Sequence, residues 1–443
     1  GHTFWDTEAF VLPVLTHTHP SAAADALRWR ALTLDTARAH AADLGLEGAA
    51  FAWRTIHGEE CSGYWPAGTA AFHINADIAS AVVRYHGAVV DEAFEREVGV
   101  ELLVETARLW CSLGHRDSQG RFHIDGVTGP DEYSAIADNN VYTNLMAQRN
   151  LRSAANAVDH YPDRGRELGV EASEPAEWRA AAENMVVPYD EALGVHPQAE
   201  GFTRHQRWDF AHTEPEQYPL LLHFPYFDIY RKQVVKQADL VLALHLRGDA
   251  FTDEQKARDF AYYEAITVRD SSLSACTQSI VAAEVGFPEL AYDYLGEAAL
   301  MDLQNLERNV RDGLHMAALA GGWLAVVAGL GGMRDDNGAL RFAPRLPAAL
   351  TRLAFRMTFQ GRLLRVEVDQ RQVAYTLLEG DDMDITHHGE ALTVSRKGPL
   401  SRPLPPARPG TPPTQPPGRA PIRRQLQSQT TVVGPSGPPA SEG

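Results

Sequence analysis

Cysteine is scarce in this chain of 443 residues: Cys61, Cys111 and Cys276 lie far apart and are odd in number. They build neither a disulfide framework nor a CxxC or Cys/His zinc cluster, and free thiols fit a reducing, cytoplasmic setting. Positive charge is also in short supply, 40 Lys and Arg against 58 Asp and Glu, for a formal net charge of −18. The phosphates of a nucleic acid would be repelled by that balance, so no nucleic-acid partner is expected. No apolar run approaches the ~20 residues that span a bilayer, so no membrane helix is expected either. No leader peptide opens the chain. It starts Gly-His-Thr-Phe-Trp-Asp, already inside a patterned segment, and residues are expected to be missing upstream. What remains, 44% hydrophobic and 22% charged, is an ordinary globular composition. The length suits one large domain with a small one attached.

Three textures follow one another. Residues 1–342 read as helices joined by Gly/Pro-rich loops, with no strand runs between them, which points to an all-α array. Asn139 to His160 carries Val141, Leu145, Met146 and Leu151 at helical spacing. Pro288 to Leu306 is a second helix, with proline in its first turn. Asp312 to Leu330 is a third, apolar on most of its surface and so expected between other helices. Residues 343–397 switch to period two: Leu353, Phe355, Met357, Phe359; then Leu364, Val366, Val368; then Val373, Tyr375, Leu377. Asp369-Gln370-Arg371 makes a turn between two of these strands, giving a small antiparallel sheet. Residues 398–443 are Pro-rich with few large apolar side chains and read as a disordered tail.

Four segments could carry chemistry. Gly126-Val-Thr-Gly-Pro-Asp-Glu-Tyr133 is a turn that sets two carboxylates before a helix. Glycosyl transfer needs a carboxylic acid to protonate the departing oxygen, with a pKa raised by burial or by a neighbour such as Asp131. A solvated acidic turn would look the same. Trp5-Asp6-Thr7-Glu8 offers an aromatic face for a sugar and a carboxylate for its hydroxyls, or simply a core tryptophan. Lys236-Gln237 precedes an apolar helix and reads equally as a solvated helix start. Asp270-Ser-Ser-Leu-Ser274 and Gly313-Leu-His315 supply hydroxyls, amides and a histidine, the groups an oxyanion such as phosphate requires. Gly329-Leu-Gly-Gly332 has the wrong spacing for a nucleotide loop.

In this order the pieces resemble glycoside hydrolase family 65, the inverting disaccharide phosphorylases of the trehalose, maltose and kojibiose type. The resemblance rests on GHTFWDTE (1–8), FHINADIA (72–79), GVTGPDEY (126–133), NNVYTNLMA (139–147), VVKQADL (234–240), DSSLS (270–274) and DGLHMAALAGGW (312–323). It implies an (α/α)₆ barrel followed by a small antiparallel β-sheet. It further implies Glu132 as general acid, with Trp5, Asp6, Lys236 and Gln237 holding the donor glucose. Ser271, Ser272 and His315 would bind phosphate, the co-substrate. No metal or organic cofactor is implied; the partners are a small disaccharide and phosphate, and family members are often homodimers. The family's N-terminal β-sandwich and helical linker have no counterpart before Gly1, so the barrel is expected to be incomplete at its start.

Two other functions stay open on the sequence. An inverting α-glucoside hydrolase, trehalase-like, would need a second carboxylate to activate water, for which Glu264, Asp270 and Asp312 are candidates. A non-catalytic sugar-binding remnant is the third reading. The stretch Trp53 to Cys61 and Tyr64 to Thr69 most resembles the trehalose-acting branch.

Overall fold

The computed structural model of the protein describes residues 2–306, 310–406 and 410–424, without the side chains of Asp312 and Asn337. Helices of seven or more residues are α1 (Leu12–Thr18), α2 (Pro20–Leu32), α3 (Leu34–Asp43), α4 (His73–Ala88), α5 (Val100–Leu113) and α6 (Val141–His160). They continue as α7 (Glu174–Glu183), α8 (Asp239–Leu246), α9 (Asp253–Glu264), α10 (Ser274–Glu284), α11 (Pro288–Leu300) and α12 (Met316–Leu324). Local chemistry sets several starts. The Asn140 side chain accepts from the Thr143 amide at the head of α6. Thr252 and Gln255 form a reciprocal capping box on α9. Prolines open α2 and α11. The helix expected from Asp312 begins only at Met316, because Gly313 (φ +129°) takes a left-handed turn that no helix continues through.

The helices form an (α/α)₆ barrel. Its inner ring runs α1, α4, α6, α8, α10, α12 and closes where α12 packs on the wide helical turn Thr7–Val11 that leads into α1. Two of the inner helices are buried nearly all round: every residue of α8 is buried, as are Ser274–Ala283 of α10. Outer helices lean on this ring, α2 on α4, α5 and α7 on α6, α9 on α8, and α11 on α10 and α12. Met316 and Leu319 of α12 are exposed, as are Leu303 and Leu314 near its start.

The period-two region forms β1 (Arg341–Phe342), β2 (Arg352–Phe359), β3 (Arg362–Asp369), β4 (Gln372–Glu379), β5 (Met383–His387), β6 (Glu390–Val394) and β7 (Leu400–Pro403). One sheet is antiparallel in the order β7-β4-β3-β2; the other runs β6-β5-β1, with β1 parallel to β5. Met357, Phe359, Leu364, Val366, Val368, Val373, Tyr375 and Leu377 all point into one core, as the alternation requires. Asp369 Oδ1 accepts from the amides of Arg371 and Gln372, which closes the expected turn. The sheets dock on the barrel through His17, whose ring bonds the Thr358 carbonyl at 3.1 Å and Asp335 at 2.8 Å.

Against the expected tail, residues 398–406 and 410–424 follow a defined course. Strand β7 joins the sheet, and residues 410–424 cross the barrel with Pro416 and Pro421 buried. Composition gives no sign of this, since the segment is held by side-chain bonds to buried carboxylates rather than by an apolar core. Residues 407–409 and 425–443 of the expected tail lie outside the described residues.

Candidate active site

The loop Gly126–Tyr133 is pinned from below. Gly129 leaves no room for a side chain: a Cβ there would sit 2.2 Å from Asp239 Oδ2 and 2.6 Å from Asn140 Nδ2. The Asp131 amide donates to Asp239 Oδ1 at 2.5 Å, and Asn140 Nδ2 donates to Asp239 Oδ2 at 2.7 Å. The Asp131 carboxylate is fully buried and accepts from the amides of Lys236 (2.8 Å) and Tyr133 (3.2 Å) and from Gln198 (3.0 Å). Burial pushes Asp131 up to about 6 against the pull of those bonds. Asp239 is pushed up by burial and then by the Asp131 charge.

Asp131 is therefore a brace of the loop, turned away from its neighbour. Glu132 points the other way, partly open to solvent, where Lys236 Nζ donates to its Oε2 at 2.8 Å. The carboxylate coupled to Glu132 is Asp6, brought across from the chain's start. Burial first, and then the Glu132 charge, push Asp6 up to about 8. Its Oδ1 is buried and has no hydrogen-bond partner among the described residues. A carboxyl in that state keeps its proton near neutral pH and both donates and accepts.

Gln237 links the loops. Its Nε2 donates to the Pro130 carbonyl at 2.6 Å, and its Oε1 accepts from the Ser271 hydroxyl. Trp5 is 2% exposed, packs edge-on against Phe10 and His73, and lines a small cavity with Pro130, Gln237 and Leu273. The fold thus gathers Trp5, Asp6, Glu132, Lys236, Gln237 and Ser271 from four separate segments; Ser272 is half-buried in the same turn as Ser271. His315 stands apart from this network. Its amide and Nδ1 both bond Asp302, at 2.9 and 2.6 Å, which fixes the ring.

The two described candidates for a water-activating base are already engaged. Glu264 accepts from Tyr294 and Gln415 (both 2.7 Å) and from Gln278. Asp270 Oδ2 accepts from the Tyr133 hydroxyl (2.5 Å) and the Leu220 amide (3.0 Å), and Oδ1 from Arg419 (2.7 Å). Burial raises Asp270, opposed by Arg419. The side chain of Asp312, the third candidate, lies outside the described residues. Sequence reasoning missed Asp239, Gln198, Tyr133 and Arg419 as members of the site. Asp239 sits inside VVKQADL and Tyr133 inside GPDEY, so both were within quoted motifs; Arg419 carried no signal.

Comparison with known proteins places the chain in a family. Residues 1–324 match the glycosyl hydrolase family 65 central catalytic domain, and residues 333–394 the C-terminal domain of the same family. An uncharacterised glycosyl hydrolase of Mycobacterium leprae is 55% identical over 97% of this chain and 54% of its own length. An α,α-trehalose phosphorylase of Geobacillus stearothermophilus is 46% identical over 90% of the chain and 53% of its own. The chain spans about half the length of the curated relatives it matches. A solved structure provisionally named a kojibiose phosphorylase, from the human microbiome, superposes with a TM-score of 0.86 at 28% identity, over 92% of this chain and 61% of that one. With both family domains matched in order along the chain, it belongs to glycoside hydrolase family 65.

Proposed function

We propose that the barrel catalyses inverting phosphorolysis of an α-linked glucose disaccharide, trehalose first, to β-glucose 1-phosphate and a free sugar. The observation that supports this reading is the junction of Glu132, Lys236, Gln237 and Ser271: Lys236 bonds Glu132, and its chain neighbour Gln237 bonds Ser271 and the Pro130 carbonyl, so the acid, the sugar ligands and the phosphate hydroxyl of the scheme stand side by side. Glucose hydroxyls entering the site compete for Lys236. Once its ammonium turns to the sugar, the Glu132 carboxyl is released from that bond to face the glycosidic oxygen. Asp6, neutral near pH 7, donates to one hydroxyl and accepts from another. Glu132 then protonates the glycosidic oxygen as the C1–O bond breaks, and phosphate forms the new C1–O bond on the opposite face, inverting the anomeric carbon. Inorganic phosphate is the co-substrate, and the scheme calls for no metal or organic cofactor.

Glu264 and Asp270 each accept three bonds from neighbouring protein groups, a bracing role that supports phosphorolysis over hydrolysis. The trehalose phosphorylase relative supports trehalose over maltose or kojibiose. A panel of disaccharides assayed with and without phosphate tests the reading, scoring glucose and glucose 1-phosphate. Glucose 1-phosphate formed only with phosphate is the expected result. Glucose released at the same rate without phosphate would identify a hydrolase, and no turnover on any disaccharide a sugar-binding remnant.

A further inference from the structure

The proline-rich segment 410–424 is seated at the site by polar bonds, and one residue makes most of them. Arg419 donates from its guanidinium to Asp270 Oδ1 at 2.7 Å and from Nε to the Val268 carbonyl at 2.6 Å. Its own carbonyl accepts from Arg269, and its guanidinium lies 4.4 Å from the centre of the Tyr218 ring. Four residues earlier, Gln415 donates to Glu264 at 2.7 Å. Beyond it, the Arg424 amide bonds Asp293, and the Arg424 side chain fills the space where a Cβ on Gly296 of α11 would stand.

Asp270 is the junction that matters. Its second oxygen takes the Tyr133 hydroxyl, one residue after Glu132, and the Leu220 amide. Its chain neighbour Ser271 bonds Gln237, which in turn holds Pro130, two residues before Glu132. Both edges of the Glu132 loop are therefore tied to the Asp270–Ser271 turn. A carboxylate this buried holds such a geometry only while paired, and Arg419 supplies the direct cation.

We propose that Arg419 is a positioning residue for the active site: reaching back from the C-terminal segment, it fixes Asp270, and through Asp270 the Glu132 loop and the Ser271 turn. The role in catalysis rests on the phosphorylase reading above; the anchoring itself does not. The titratable and charged groups facing Asp270 are Arg419 and, from the barrel, Tyr133, Lys236 and Tyr218. Removing Arg419 leaves Lys236 as the remaining cation, so Asp270 takes up a proton at higher pH than before.

The test uses the full chain with Arg419→Ala and Arg419→Lys. Misplacing a reacting group by about 1 Å costs on the order of 100-fold, so phosphorolysis by Arg419→Ala is expected to fall roughly 10- to 100-fold in kcat. The acid limb of its pH profile moves upward, and Arg419→Lys recovers part of the rate and the original limb. Amide exchange at Leu220 and across residues 131–133 reads the anchoring without turnover and should quicken in Arg419→Ala. Unchanged kcat and pH profile would overturn the positioning role, and unchanged exchange at Leu220 would overturn the anchoring. Faster exchange in a protein whose parent shows no phosphorolysis would overturn the phosphorylase reading and uphold the anchoring.

Discussion

Lys236 and Glu132 face each other at 2.8 Å, their side chains mostly buried at 18% and 23% exposed. A glutamine at 132 keeps the size of the side chain and an oxygen that can accept from Lys236, so the swap removes the acid while leaving the bond. Glu132→Gln is expected to keep its melting temperature within a few degrees while turnover of natural disaccharides drops ~10²–10⁴-fold. A substrate with a good leaving group needs the acid less and should lose less. A variant with more than about a tenth of the parent rate would remove Glu132 from the role.

His315 is held through its amide and Nδ1 by Asp302, which fixes the ring in one orientation. His315→Ala should raise the KM for phosphate more than the KM for sugar. Saturation curves in each substrate decide it, and equal KM values with equal kcat would exclude the residue from the phosphate site.

Asp6 offers a pH signature. Its carboxyl is pushed up to about 8, so it is neutral at pH 7 and ionises as the pH passes 8. Glucose affinity measured by titration calorimetry should therefore change with a midpoint near that pH, and Asp6→Asn, neutral throughout, should show no such step. A step that persists in the variant would place the titrating group elsewhere.

The base of the catalytic loop is crowded. Gly129→Ala would drive a methyl into Asp239 and Asn140, and overpacking of this kind costs about 1–3 kcal/mol. The variant should melt lower and lose activity together, since the same contacts carry Glu132. A melt equal to the parent's would show that the loop can shift.

Asp335 lies between His17 and Arg84 under the sheet. Burial alone would raise it, but Arg84 and the bond from His17 outweigh burial and hold it well below the usual carboxylate range. Its contribution is therefore fully present above the unfolded value near 3.8 and fades as the pH falls through and below it. Asp335→Asn should cost about 3–5 kcal/mol at pH 7, as for one partner lost from a buried pair. Urea melts at pH 7 and pH 3 should show the gap between parent and variant shrinking at the lower pH.

Much of this was legible in the sequence, for reasons that differ by region. The strands around Leu364, Val366 and Val368 announce themselves because a two-residue period has one physical solution. Helix α6 does so through Asn140 and its apolar stripe. The meeting of Asp6, Glu132 and Lys236 was legible only through motif resemblance, because no local rule brings residues 104 positions apart to 2.8 Å. Asp131 was misjudged as an electrostatic neighbour of Glu132, since adjacency in sequence says nothing of which way a carboxylate turns. Arg419 stayed invisible because a proline-rich composition reports the lack of a core and not the presence of a partner for Asp270.

The bond between His17 and Asp335 joins residues 318 positions apart, and the one to Thr358 joins residues 341 apart. During synthesis the first inner helix leaves the ribosome long before either partner exists. At ~5–20 residues per second that interval is on the order of tens of seconds. Helix α1 and its apolar face must wait through it without these partners, so the nascent barrel spends that time exposed to aggregation and to chaperones; its ring can close once α12 has been made, and the sheet docks after that.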